Sequence, residues 1–380
     1  MQHPAGLLTI DLSAIQNNWL RLRQGLASGA ECSAVVKADG YGLGMLPVAR
    51  ALRQAGCRSF YVVTLAEAID LRKALGADVD ILVLRGVQPG SEPVFVAEGL
   101  IPVLVNQAMA QRWLAWCEAA QVPMAQRRSA IKINTGMNRL GLEPDELAAL
   151  AQDPDCLIHL GCELLISHLA CADQPGHPLN DHQLTLFEEC LAQCRQSLPK
   201  IRGSLANSAA TLLGSSWHFD QVRPGIALYG GNPTGLPEHR MTPVVQLQLP
   251  VVQTRKVPAG SAIGYGASCV TEDERHLITL AGGYGDGLFR SLGNRGLVWF
   301  KQTLPMVGRV SMDSFVADVT ELASAERPVE GDLVECLGPH MDIDTVASAA
   351  GTISYEILTR LNGRYDRRYL MDGQIVDGCS

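Results

Sequence analysis

An α/β fold, a (β/α)8 TIM-like barrel followed by a mostly β C-terminal domain, is the architecture that this chain of 380 residues predicts. Three observations predict it. Over about the first 235 residues, short apolar, β-branched runs alternate with amphipathic stretches, the rhythm of βαβ units around a parallel sheet. About eight such units are present, the number that closes a barrel. After Leu236 the rhythm changes to apolar and polar alternation broken by Gly, Pro and Asp, which reads as β structure. The expected domains are therefore residues 1–236 and 237–380.

The strand candidates of the first domain are LLTIDL, CSAVVK, FYVVT, DILVLRG, LIPVLV, AIKINT, GCELLISHL, IRGSLAN and VRPGIALYG. They number nine, one more than a barrel needs, so LLTIDL is expected to pair outside it, with the second domain. Helical stretches lie between them, among them SAIQNNWLRLRQGL, with Asp11 or Ser13 placed to cap it, and HQLTLFEECLAQCRQSL. In the second domain MTPVVQLQLPVVQTRKVP, HLITLAGG, LVWF, PMVGRVS, SFVADVT and DLVECLG read as strands, and TVASAAGTISYEILTRL reads as one helix. There are no internal repeats.

Composition narrows the function classes. A hydrophobic fraction of 47% supports a large core. A net charge of −8 gives no footprint for nucleic acid. No apolar stretch approaches the roughly 20 residues that span a bilayer. The start, Met1-Gln2-His3-Pro4-Ala5-Gly6, lacks the basic and apolar runs of a secretory signal. Eleven cysteines are scattered without a Cys-x-x-Cys pair, which speaks against a zinc cage and for reduced thiols in the cytoplasm. Cys190 and Cys194 read as core or surface thiols, and His177 and His182 as part of a polar loop rather than metal ligands.

In a closed barrel the active site sits at the C-terminal ends of the strands. The polar residues ending the expected strands are Lys37, Thr64, Arg85, Lys132, His168, Asn207 and Arg223. So many cationic and hydrogen-bonding groups on one rim suit an anionic ligand. Lys37 follows the apolar run Ala34-Val35-Val36, where desolvation favours the neutral, nucleophilic amine; the alternative is a solvated lysine after a strand. Ser208, with the main-chain N–H groups of Gly225 and Ile226 and the helix start at NSAATL, has the chemistry of a phosphate site in the last two βα loops. A plain helix cap at Asn207 or Ser208 would explain those two positions equally well. Arg223, held extended by Pro224, suits a carboxylate, a ring nitrogen or an ordinary ion pair. In the second domain Tyr265 lies between glycines, either packed in a turn or presented as a phenol. GGYGDG is no dinucleotide fingerprint.

Taken in order, VVKADGYGLG, KINTGMNRLG, SHLACAD, NSAATL, VRPGIALYG, GYGA, GGYGDG and VGRVSMD resemble the alanine racemase family along nearly the whole chain. The resemblance implies a barrel that binds pyridoxal 5'-phosphate, a β domain, and a head-to-tail homodimer. Each site would take barrel residues from one chain and β-domain residues from the other. It implies that Lys37 carries the cofactor as an aldimine and that Tyr265 of the other chain is the opposing base. Tyr41, Tyr355, Ser208, Gly225 and Ile226 would hold the phosphate, with Asn207 beside them. Arg223 would donate to the pyridine nitrogen, with His168 under the ring. Arg139 and the Met312 main chain would seat the substrate carboxylate, and Asp173, Tyr284, Arg290 and Arg309 would line the access corridor.

The implied reaction is inversion of alanine through an external aldimine. Inversion removes a proton from one face and delivers it to the other, so two bases must flank the substrate. Two departures from the family's pattern bear on detail. Asn134 stands where Asp is frequent, beside Lys132, which matches a lysine often carbamylated; either the carbamate or a bound anion would then fill that space. Ser311 stands where Cys is common. A wider pocket would admit serine. The competing readings are a barrel-type amino-acid decarboxylase and a non-catalytic carrier of the cofactor.

Overall fold

A computed structural model of the chain describes residues 6–153, 155–361 and 363–376. Residues 1–5, which carry most of the segment read above for a secretory signal, and Cys379 lie outside these. The first strand, β1 (Leu7–Asp11), is followed by β2 (Glu31–Cys32), β3 (Ala34–Val35), β4 (Ser59–Val62), β5 (Asp80–Val83), β6 (Ile101–Leu104), β7 (Ser129–Lys132), β8 (Cys162–Ile166), β9 (Arg202–Ser204) and β10 (Gln221–Val222). Strands β3 to β9 form a parallel sheet in sequence order, and β10 pairs parallel with β2. Main-chain bonds close the two seams: Ser33 N–H to Val222 O and Val35 N–H to Pro224 O on one side, Asp220 N–H to Gly203 O and Arg223 N–H to Ala206 O on the other. Strands β4, β6 and β7 are buried at every position, because interior side chains cover one face and helices the other.

The second sheet contains β11 (Val245–Val257), β14 (Arg275–Ala281), β15 (Leu297–Phe300), β16 (Gln302–Val307), β17 (Ser314–Asp318), β18 (Leu333–Leu337), β19 (Asp366–Met371) and β20 (Gln374–Val376), with a small hairpin of β12 (Ala262–Ile263) and β13 (Cys269–Val270) beside it. β1 belongs to this sheet. It runs antiparallel to β11, Leu7 opposite Gln248, and parallel to β19, Leu7 opposite Asp366. Asp11, its last residue, caps the first helix by accepting the Ala14 N–H at 2.9 Å.

Several local expectations need correction. TVASAAGTISYEILTRL forms two helices, Ile343–Ala350 and Ser354–Arg360. Gly351, at φ +73°, takes the left-handed cap that ends the first. VRPGIALYG is strand only through Val222; Pro224 still accepts the Val35 N–H but has no N–H of its own to continue the ladder, and Ile226–Tyr229 make a 3-10 turn. The helices Glu92–Ala97 and Pro144–Gln152, and the strands β19 and β20, were not among the expected elements. The helix Ser354–Arg360 lies across the barrel mouth, so close that a Cβ on Gly42 would stand 2.6 Å from Leu358 O. Tyr369 O–H donates to Leu43 O at 3.1 Å and ties the second sheet to the same loop.

Candidate active site

The chain leaves β3 through Val36 and turns at once. Ala38, Asp39, Gly40 and Tyr41 have φ of 53°, 54°, 62° and 57°, a left-handed turn in which three residues carry a Cβ. Each such residue costs about 1 kcal/mol or more, so the surroundings must hold it. Glu67 accepts the Ala38 N–H at 2.7 Å, and Asp39 Oδ1 accepts the Met45 N–H at 2.8 Å. The result leaves Lys37 half-buried at the mouth and folds Tyr41 into the protein.

Tyr41 stacks on Tyr229 at 4.6 Å between ring centroids and lies 6.0 Å from Tyr355. Its hydroxyl rests on Gly225, where a Cβ would come within 2.2 Å of it. Ser208 Oγ accepts the N–H groups of Gly225 at 2.8 Å and Ala227 at 3.2 Å. Asn207 caps the helix Ser208–Leu213 by accepting the Ala210 N–H at 3.1 Å. Tyr41, Ser208, Gly225, Ile226 and Tyr355 thus meet in one cradle. Tyr355 reaches it from the second domain of the same chain. The expectation that β-domain residues come from the other chain therefore does not hold for Tyr355, because the helix Ser354–Arg360 folds back onto its own barrel. Burial pushes the Tyr355 phenol up to about 12, with Asp173 and Asp344 adding to it, which places Asp173 at the same rim.

Beside the cradle is a cage of cations. Arg223 is buried, its terminal nitrogens donating to the main-chain oxygens of Ser204, Ser167 and Leu205. Among the described residues its Nε–H has no acceptor. Burial depresses the His168 pKa well below the usual imidazole range, and Arg223, Lys132, Arg139 and Lys37 depress it further. Lys132 is pulled down to about 8 by burial, then by Arg139, Arg223 and Lys37. Lys37 is lowered by burial first and Arg139 second, against the pull of Glu67. Neighbouring cations depress Lys132, Lys37 and His168, while Arg223 is lowered by burial; Glu67 is the carboxylate that offsets Lys37.

Tyr265, Tyr284, Arg290, Arg309 and Met312 gather elsewhere, on one exposed face of the second domain. The Tyr265 ring is 70% exposed and Met312 54%. Gly266 packs on the Arg309 guanidinium, Gly293, next to the Arg290 turn, packs on the Arg309 Cα, and Tyr284 N–H donates to Ser311 O at 3.0 Å. Within a single chain this face is open.

Some rim residues do structural work. Thr64 caps the helix Leu65–Leu75 in a reciprocal box with Glu67. His177 caps Pro178–Ser197 through Nδ1, the helix that buries Cys190 and Cys194. Asn134 donates to Asn138 Oδ1 at 2.9 Å and Glu143 Oε1 at 2.8 Å, and its own oxygen accepts two N–H groups of the same loop. An aspartate there would face Glu143 with like charge, so the amide suits this loop. Glu67 and Tyr229 were missed from the sequence; only a tertiary fold brings them to Lys37 and Tyr41.

A barrel that holds a desolvated lysine among cations, next to a cradle of hydroxyls and main-chain N–H groups, has the chemistry of a barrel-enzyme site for an anionic ligand. Residues 10–233 match the model of the alanine racemase N-terminal domain, and residues 244–369 match that of the C-terminal domain. The chain belongs to the alanine racemase family. It is 47% identical to a catabolic alanine racemase of Mesorhizobium japonicum over 96% of this chain and 93% of the relative. It is 44% identical to an alanine racemase of Rhodospirillum rubrum over 96% and 95%. Its fold is similar to the crystal structure of alanine racemase from Bartonella henselae with covalently bound pyridoxal phosphate, with a TM-score of 0.89, 39% identity, and coverage of 96% of this chain and 99% of that one.

Proposed function

We propose that this chain is an alanine racemase that interconverts L- and D-alanine with pyridoxal 5'-phosphate held by Lys37. The observation that carries the reading is Lys37 itself, its amine pushed toward neutrality inside a cage of cations at a barrel mouth. The residues fit the cofactor. Gly225 leaves the space that a Cβ would fill, Ser208, whose Oγ takes up the Gly225 and Ala227 N–H groups, keeps its own O–H to donate to a phosphate, and the Arg223 Nε–H is available to a ring nitrogen. Tyr41, Tyr355 and Asn207 complete the seat.

Bound pyridoxal phosphate acidifies the Cα–H of an attached amino acid. The protein supplies the proton traffic and the orientation. Lys37, lowered by desolvation, takes or returns a proton on one face. Tyr265 of a second copy does so on the other, since its exposure leaves it available to a neighbouring barrel. His168, kept neutral by burial and the surrounding cations, would add no further positive charge beside the cofactor. Arg223 would donate to the ring nitrogen without giving up its proton, which would temper electron withdrawal and side reactions. Arg139 and the Met312 main chain seat the substrate carboxylate, and Asp173, Tyr284, Arg290 and Arg309 line the approach. Lys132, near 8 and so partly neutral, can take up carbon dioxide as a carbamate with loss of a proton; the neighbouring cations would hold that anion, which would orient Arg139.

Shared sites require a head-to-tail homodimer, and the exposed Tyr265 face supports it. Among the described residues no helix is long and apolar enough to cross a membrane. The ten cysteines among the described residues are free, in keeping with a cytoplasmic protein. Incubation with cofactor and L-alanine, with L-serine in parallel and chiral chromatography as the readout, tests the assignment. D-alanine forming faster than D-serine is expected. Faster D-serine would move the substrate, carbon dioxide release would point to a decarboxylase, and no α-proton exchange with deuterated solvent would leave only a carrier.

A further inference from the structure

The segment that leaves the helix Ser354–Arg360 carries a side chain to which the racemase mechanism gives no task. Arg364 Nε lies 2.9 Å from Asp286 Oδ1, and a terminal nitrogen lies 2.9 Å from Asp313 Oδ1. Asp286 is buried, and its second oxygen accepts the Gly283 N–H at 2.9 Å. One guanidinium therefore joins two turns, Gly283–Gly287 and Ser311–Asp313.

The main chain completes the joint. Tyr284 N–H donates to Ser311 O at 3.0 Å, and Gly285 N–H donates to Met312 O at 2.8 Å. Gly283 has no room for a side chain, since a Cβ would come within 2.2 Å of Ser311 O. In a trans peptide the C=O and the following N–H point in opposite directions. With Ser311 O drawn into the joint, the Met312 N–H is aimed away from it. The same turn leaves the Met312 side chain 54% exposed.

We propose that Arg364 is a positioning residue for the substrate carboxylate: by clamping Asp286 and Asp313 it sets the direction of the Met312 N–H and the place of Tyr284. This rests on the reading that the Tyr265 face completes the barrel site of a second copy. Tyr355 then serves its own chain's site and Arg364 the neighbour's.

The test is Arg364→Ala, with Arg364→Lys beside it to preserve charge if the alanine variant folds poorly. The expected result is a rise of roughly tenfold in KM for alanine with kcat within about threefold, because a seat that binds ground and transition states alike shows itself in KM. Asp313→Ala should do the same, and the double variant should be no worse than either alone. Unchanged KM, or a loss confined to kcat, overturns the proposal.

Mixed dimers locate the effect. In a dimer of a Lys37→Ala chain and a Tyr265→Ala chain, the one intact site takes its lysine from the second chain and its tyrosine from the first. Arg364→Ala should raise KM when carried on the first chain and not when carried on the second. Equal effects from both placements overturn the proposal and leave only a general structural role. Mixed dimers that are inactive without any Arg364 substitution would refute the shared site instead, and the homodimer KM would still judge the clamp.

Discussion

The barrel mouth and the Tyr265 face differ in how finished they are within one chain. At the mouth, Lys37, Lys132, His168 and Arg223 stand partly or fully buried, and each has its protonation equilibrium displaced by burial and by its neighbours. On the second domain, Tyr265 is 70% exposed and borders a glycine-rich loop and Arg309. The first region is preorganised by its own core; the second has its main-chain joints built and its side chains uncovered. A racemase needs two bases on opposite faces of one carbon. On the proposed reading, the contrast teaches that this chain builds one base into its core and presents the other outward, so that activity would depend on association.

The largest effect should break the finished half. Lys37→Ala is expected to abolish the visible absorbance of the bound cofactor and to lower racemisation by about a thousandfold or more. Tyr265→Ala should keep the absorbance and lose comparable activity, more in one direction than the other. Mixing the two inactive variants should restore part of the activity; no recovery, or full activity in the tyrosine variant, would end the two-region account.

A smaller effect should sharpen the cradle. Gly225→Ala places a Cβ 2.2 Å from the Tyr41 hydroxyl, so cofactor affinity should fall roughly tenfold to a hundredfold, the size of an overpacking penalty. Gly176→Ala has open space and serves as the control. Equal affinity in both variants, measured by cofactor titration, would remove Gly225 from the seat.

The smallest effect concerns charge. Lys132 titrates near 8 when folded, below its ordinary 10.5, so the folded chain disfavours its charged form. The sign follows: its contribution to stability is fully present above about 10.5 and is lost as pH falls through about 8. Without cofactor, stability should rise from pH 8 to 10 by an amount of order 2–3 kcal/mol from this residue. Lys37 adds in the same direction. Lys132→Met should flatten that slope in denaturant titrations, and an unchanged slope would place the positive charge elsewhere.

Much of this was legible in the chain itself. Ala34-Val35-Val36-Lys37 states that an amine follows a buried strand, and the expected barrel then names Arg223 and Ser208 as its rim neighbours. Periodicity marks a face or a strand end, and a barrel converts strand ends into one site. The single helix drawn over residues 345–361 failed because a lone Gly351 can sit within a helix or end it, and only the chain's path beyond it decides. Thr64 and Asn207 look alike in sequence, a polar residue at a strand end. Thr64 caps a helix with Glu67, while Asn207 caps one beside the cradle.

What the amino-acid sequence determined by itself was the alternation of strands and helices in the first domain, the change of character after Leu236 and the chemical kind of the site. Those follow from local patterns of burial and from residue types, which are written in the chain. Only the tertiary structure decided which strands β1 lies between, β11 and β19, that Tyr355 serves its own barrel, that Glu67 braces the turn after Lys37 and that Arg364 ties two distant turns together. Each of these is a contact between segments far apart in sequence, and pairing over such distances is set by how whole sheets and helices pack rather than by any signal near the residues concerned.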